Sequence, residues 1–293
     1  LSMSGNNTFE SGVRIKEGTL EVAADINLGK NGSEVLIDGA TLGITGSTTL
    51  TRGITLTEKG GTVSVAAGGE ATLNGKLLLD VSTGAIAADF TKAGAGVLNL
   101  TQDNAQSAFK GNTIIQEGTL GITSTNNLAN GKLFLDGGNI RTNAQISDFN
   151  KVIIINSTGG IDTNGLNTTV NSVIQGDGAF VKSGLGTLTL SGDKIYAGGT
   201  VVNGGVLAVT NHKNLGSANT NITLDGGGLQ LLADLNIGEA TATDGRAVVV
   251  GSGGGVLDTN SHNSTISKTI SGAGTFTKQG DGTLTLTANN AGL

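Results

Sequence analysis

Short runs in which apolar and polar residues alternate, divided by Gly, Asn and Asp, recur along the chain, as in TLTL at Thr187–Leu190 and KLFLDG at Lys132–Gly137. A period of two predicts strands with one buried face. The apolar residues also recur at a longer interval. Leu20 and Leu42 are 22 residues apart, as are Leu207 and Leu229; Leu120, Ile140 and Ile161 follow one another at 20 and 21. Strand alternation nested in a period of 20–22 residues predicts an all-β solenoid of short strands, with Gly, Asn and Asp at corners where left-handed backbone is tolerated. A sandwich would instead show turn signals roughly every 8–12 residues and no long period. At about 4.8 Å per turn, about 13 turns would build a rod on the order of 60 Å long.

A second, longer repeat is superimposed. KAGAGVLNL begins at Lys92, KSGLGTLTL at Lys182 and KQGDGTLTL at Lys278, at spacings of 90 and 96 residues. LDGGNI (Leu135–Ile140) returns as LDGGGL (Leu224–Leu229), and the DTN of Asp162–Asn164 as that of Asp258–Asn260. The offset grows by about seven residues between Leu229 and Gly254, which places a loop extension within Leu232–Arg246. The units fall at about 1–91, 92–181 and 182–277, with a partial one at 278–293, in a single continuous solenoid; the match is weakest from Arg52 to Asp89. Phe90, Phe180 and Phe276 each stand two residues before the anchor lysine and read as core or cap residues.

Composition sharpens this picture. With 50 Gly, no Pro, no Cys, no Trp and 3% aromatics, the core must be built from branched aliphatics, which suits a thin core. Proline would remove a ladder donor, so its absence fits unbroken pairing. At 37% hydrophobic and 14% charged, the chain lacks the signature of disorder. A net charge of −6 opposes nucleic-acid binding, and no apolar run approaches the roughly 18 residues of a membrane span. The N-terminus shows neither the basic nor the apolar region of an export signal, so any such signal is expected to lie outside these residues.

The segment KSGLGTLTLSGDKIYAGGTVVNGGVLAV, from Lys182 to Val209, with its copies at Lys92 and Lys278, resembles the passenger-associated repeat of bacterial autotransporters. The resemblance implies a right-handed, single-stranded parallel β-helix. It also implies type V export across the outer membrane of a Gram-negative bacterium, to the cell surface or beyond. Outer-membrane attachment would then run through a C-terminal β-barrel that these residues do not include.

Candidate chemistry is sparse. His212 and His262 lie in polar, turn-like contexts, and no GxSxG or related nucleophile motif accompanies them. Asp136 and Asp225 occupy equivalent repeat positions, as do Asp162 and Asp258, which favours turn acids over a unique catalytic pair. The Gly- and Asp-rich tandem of calcium-binding solenoids is missing, so neither metal nor cofactor is expected. Thr-x-Thr pairs such as Thr55/Thr57 are too few for an ice-binding array. The expected function is therefore non-enzymatic: a surface rod mediating adhesion to a host receptor or matrix protein, or self-association. A released effector passenger is the alternative, and a carbohydrate-active enzyme is less favoured. Extensions project from solenoids as binding elements, so Glu239, Asp244 and Arg246 are the candidate partner-binding residues.

Overall fold

The computed structural model describes residues 1–105, 109–238 and 245–290. It forms two compact units, Leu1–Ala144 and Gln145–Leu293. Each is a β-solenoid of parallel strands, and the two together hold about 13 turns of about 21 residues.

Three stacks build the first unit. One runs from Thr19–Val22 through Thr41–Ile44, Gly61–Val65, Phe90–Ala93 and Thr113–Ile115 to Leu133–Leu135. A second stacks Val13–Ile15, Val35–Ile37, Ile54–Leu56 and Leu77–Leu79. The third stacks Thr48–Leu50, Glu70–Leu73, Val97–Leu100, Thr119–Ile122 and Asn139–Thr142. In the second unit the main stacks run from Gly159–Asp162 through Phe180–Ser183, Thr200–Val202, Ile222–Leu224 and Val248–Val250, and from Thr168–Val170 through Thr187–Leu190, Val206–Val209, Gly228–Leu231 and Gly255–Asp258 to Phe276–Gln279.

The register follows the sequence period. Leu20 pairs with Leu42, Leu120 with Ile140, and Leu207 with Leu229. Inward positions alternate with half-exposed ones, as in the buried Leu188 and Leu190 of Thr187–Leu190. Stacking like on like fills a narrow interior without large rings. Phe90 and Phe180 are fully buried, whereas Phe276 is half-exposed. Thr55 and Thr57 are buried as well, and therefore form no surface array.

Two turns are enlarged. In the second unit Leu224 pairs with Val250, Gly228 with Val256 and Leu235 with Ser264, offsets that exceed the 22 residues separating Val202 from Leu224. The insertion expected within Leu232–Arg246 is therefore present. It does not project as a whole, because Leu235–Ile237 is a strand of the solenoid with Leu235 and Ile237 buried. In the first unit Gly61 pairs with Phe90 and Val63 with Lys92, 29 residues on. That enlargement falls in the stretch where the sequence repeat is weakest.

Candidate functional site

Glu239 and Asp244 lie outside the described residues. Arg246 is described, and the expectation that it is exposed is corrected: it is 1% exposed. Its Nη2 donates to the Gly216 carbonyl, and its guanidinium faces the buried Tyr196 phenol. Arg246 stands two residues before Val248–Val250, and the inward step that precedes a strand carries its side chain under the corner of the previous turn.

The same corner is built in the first unit. Arg52 stands two residues before Ile54–Leu56 and is 3% exposed. Its Nε donates to Asp25 Oδ1 at 2.8 Å and Nη2 to the Asp25 carbonyl at 2.9 Å. Nη1 donates to the carbonyls of Leu28 at 2.8 Å and Ser33 at 3.3 Å, and Nη2 to that of Gly29 at 3.3 Å. A guanidinium with five donors thus gathers the free carbonyls of a short 3-10 turn, Asp25–Leu28. Partial burial pushes the Asp25 carboxyl up, but hydrogen bonds from Arg52 and Thr51 and the guanidinium charge outweigh it, so Asp25 ionises below the ordinary carboxylate range.

A buried asparagine completes each corner. Asn27 Oδ1 accepts from the amides of Ala23 (3.0 Å) and Ala24 (2.8 Å), and its Nδ2 donates to the Gly5 carbonyl at 2.8 Å. Asn127 repeats this with Thr123 and Ser124 as donors and the Gln102 carbonyl as acceptor. Asn214 does so with Thr210, Asn211 and the Gly192 carbonyl. One side chain thereby caps its own turn and staples it to the turn below.

The anchor lysines also point inward. Lys92 and Lys182 are fully buried. Lys92 Nζ donates to the carbonyls of Ala93 (2.8 Å), Gly94 (2.6 Å) and Glu117 (3.0 Å). Lys182 Nζ donates to those of Ser183 (2.8 Å), Gly184 (2.7 Å) and Gly204 (3.0 Å). Burial pushes both ammonium groups down to about 8, against the opposing pull of the Glu117 and Asp162 carboxylates. At neutral pH both still donate from the charged form, which makes strong bonds to carbonyl oxygen.

The recurring aspartates close turns. Asp162 accepts the Asn164 amide at 2.8 Å, and Asp258 the Asn260 amide at 2.7 Å. Asn164 and Asn260 adopt left-handed backbone at φ 50° and 53°. Between them Thr163 and Thr259 are buried, donating to the carbonyls of Leu185 (2.6 Å) and Gly282 (3.0 Å). Asp225 accepts the Gly253 amide at 2.7 Å. His262 is half-buried, its Nδ1 3.5 Å from Asp234.

Above the two arginine corners lie open grooves. The first, of about 700 Å³, is bordered by Asn7, Asp25, Ile26, Asn31, Thr51 and Arg52. Its counterpart in the second unit, of about 300 Å³, is bordered by Ile195, His212, Lys213, Gly216, Ser217 and Arg246.

Repeats that carry the anchor lysines relate the chain to known proteins. A model of the passenger-associated-transport-repeat matches residues 1–22, 90–122, 180–209 and 276–292. The chain belongs to this autotransporter passenger family. A passenger of this kind reaches the surface of a Gram-negative bacterium, or the medium, by type V secretion. The passenger is 32% identical over 304 residues to the Adhesin BmaC autotransporter of Brucella suis biovar 1 (strain 1330). That alignment covers 93% of this chain and 8% of the relative, so the chain spans a small part of the relative's length. No solved structure matches.

The matches over 90–122 and 180–209 hold the buried Lys92, Asn104, Lys182 and Lys194, and the match over 1–22 holds the half-exposed Asn7, whose Nδ2 donates to the Asn27 carbonyl. The lysines were legible only as markers of the repeat. Their direction was also available: in FTKA and FVKS the phenylalanine and lysine share a parity, hence a face.

Proposed function

We propose that this passenger segment is a non-enzymatic adhesive β-solenoid element that engages a host cell-surface receptor, a matrix protein or another copy of itself. The observation that carries this reading is the alignment of 93% of the chain with a protein named an adhesin. The side chains that sequence alone offered as candidate acids support it. Asp162, Asp258 and Asp225 are each committed to a backbone amide in a turn. A catalytic pair of carboxylates must face a substrate, one as acid and one as base or nucleophile, and turn-capping aspartates on successive repeats face their own backbone instead. The solenoid stacks binding surface along its length at low conformational cost, which suits display.

The test displays the segment on a bacterium that does not otherwise adhere and counts attachment to host cells and matrix-coated wells. Attachment above that of the undecorated bacterium is expected. Absence of attachment and of clumping, together with hydrolysis of a glycan that is lost in the Asp162→Asn/Asp258→Asn variant, would overturn the reading.

A further inference from the structure

The groove above the arginine corner of the first unit, of about 700 Å³, has the size of a small-molecule site. Its walls are pinned. On one side the Asn7 amide donates to the Ile26 carbonyl at 3.2 Å, Asn7 Nδ2 to the Asn27 carbonyl at 2.7 Å, and the Lys30 amide to the Phe9 carbonyl at 3.0 Å. On the other side Thr51 Oγ1 lies 2.7 Å from Asp25 Oδ2 and 2.8 Å from Asn31 Oδ1. A groove fixed in this way binds without first having to order its own walls.

The charges that border it are already matched. Arg52 Nε lies 2.8 Å from Asp25 Oδ1, and Lys30 Nζ 2.6 Å from Glu10 Oε1. An ionic ligand would have to break one of these pairs, so the lining favours an uncharged one.

What the lining does offer is hydrogen-bonding capacity beside apolar surface. The exposed hydroxyls of Thr8 and Thr49 bond to nothing among the described residues. Asn7 commits its Nδ2 and keeps its Oδ1. Thr51 has one hydroxyl hydrogen for two neighbours. When Asp25 takes it, Asn31 meets Thr51 with one end of its amide and keeps the other. In the same lining Ile26 is 47% exposed. A ligand that satisfies both features carries several hydroxyls around an apolar C–H face, which is the chemistry of a pyranose ring.

The corner itself does not need these groups. The second unit builds the like corner with Lys213 in the place of Ile26 and Ala218 in that of Asn31, over a groove of about 300 Å³. The fold of the turn therefore does not account for Ile26 and Asn31.

We infer that this groove is a glycan subsite for an uncharged hexose residue, with the C–H face of the sugar laid on Ile26 and its hydroxyls bonded to Asn7 Oδ1, Thr8, Asn31 and Thr49. This rests on the adhesive reading above and names the ligand class of that contact.

The experiment measures binding of the fluorescently labelled 293-residue chain to neutral oligosaccharides of glucose, galactose, mannose and their N-acetylamino forms immobilised at high density, and to cultured host cells. Sialyllactose and heparin are the anionic probes. Wild type is compared with Ile26→Val and with Ile26→Lys/Asn31→Ala, which installs the residues of the second unit. Thermal unfolding of each is the folding control. Both positions are exposed, so the variants are expected to melt with wild type. Wild type is expected to be retained by at least one neutral sugar, the double variant to bind that sugar about tenfold or more weakly, and Ile26→Val within about twofold of wild type. Raising salt should change this binding by less than about twofold, because no charge is engaged. Retention by no neutral sugar, or equal retention of wild type and the double variant, would refute the subsite, and adhesion stands if the cells still bind wild type. Binding to neither sugars nor cells would refute both. Groove-dependent retention by sialyllactose or heparin alone would overturn the assignment of an uncharged ligand.

Discussion

The arginine corner of the first unit and that of the second share their buried parts and differ in what faces the groove. Asn27, Leu28, Gly29 and Arg52 in one correspond to Asn214, Leu215, Gly216 and Arg246 in the other, all inside or in left-handed backbone. Each glycine lies against an aromatic ring of the previous turn. A Cβ on Gly29 would come within 2.5 Å of the Phe9 ring, and one on Gly216 within 2.5 Å of the Tyr196 ring. On the groove side, Asp25 becomes His212, Ile26 becomes Lys213, Lys30 becomes Ser217 and Asn31 becomes Ala218. In both, the arginine donates to the carbonyl of the corner glycine, Gly29 or Gly216, and the asparagine caps its own turn. The groove-side residues differ, so one scaffold carries a charge-balanced hollow, with Glu10, Asp25, Lys30 and Arg52, in one unit and a more basic one, with Asp193, Lys194, Lys213 and Arg246, in the other.

The comparison can be broken most forcefully at its centre. Arg52→Ala removes the donor to the Asp25 carboxylate and to five carbonyls, those of Asp25, Leu28, Gly29, Lys30 and Ser33, at a mostly buried corner; a loss of about 3–5 kcal/mol is expected, read as a lower denaturation midpoint with exchange protection lost first around residues 25–33. A change under about 1 kcal/mol would mean that water replaces the guanidinium.

Next come the asparagines. Asn27→Ala deletes two acceptor contacts and one donor contact, and Asn214→Ala three acceptor contacts and one donor contact, with an expected cost of about 2–3 kcal/mol apiece. Equal costs in the two units would confirm that the corners are energetically equivalent, and unequal costs would show that the groove residues reach into the clip.

The lysines predict a pH effect. Folded Lys92 and Lys182 titrate at about 8 and the unfolded side chain at 10.5. Between those values the unfolded chain binds more protons, so stability should rise from about pH 8 to about 10.5 and stay level below. Urea midpoints across that range should rise in wild type and rise less steeply in Lys92→Met/Lys182→Met, where the buried Lys194, also pushed down to about 8, still contributes. Lys278→Met, at an exposed anchor, should keep the wild-type slope.

The smallest effect separates the grooves themselves. Asp25→Asn should cost about 1 kcal/mol, because Arg52 keeps its carbonyl partners. Since Asp25 ionises below 3.8 when folded, its contribution is complete above that pH and is lost as pH falls through the lower folded value. His212→Asn, at the corresponding place, should leave acid stability unchanged within about 0.5 kcal/mol.

Much of this was legible in the chain. The pairs Leu20–Leu42, Leu120–Ile140 and Leu207–Leu229 were readable because one residue per turn must occupy each inward column. The DTN turns were readable because an aspartate two residues ahead of a left-handed asparagine is a local motif. Arg246 misled because charge next to an insertion suggests exposure, while its partners lie 30 residues away in sequence. The enlarged turn of the first unit was hidden because it interrupts the repeat, and a periodic reading is weakest where the period fails.

Sequence by itself determined the strand solenoid and its turn length, since both follow from spacing and spacing survives in one dimension, and it pointed to the family through the resemblance of the repeat motifs. Only the tertiary structure decided what the buried polar residues bond to. Lys92, Lys182, Arg52, Arg246 and the three corner asparagines are inside because a coiled backbone leaves carbonyls at its bends that no strand neighbour can reach. Whether a cation or amide meets such a carbonyl depends on the turn above it, and that neighbour exists only once the chain has coiled.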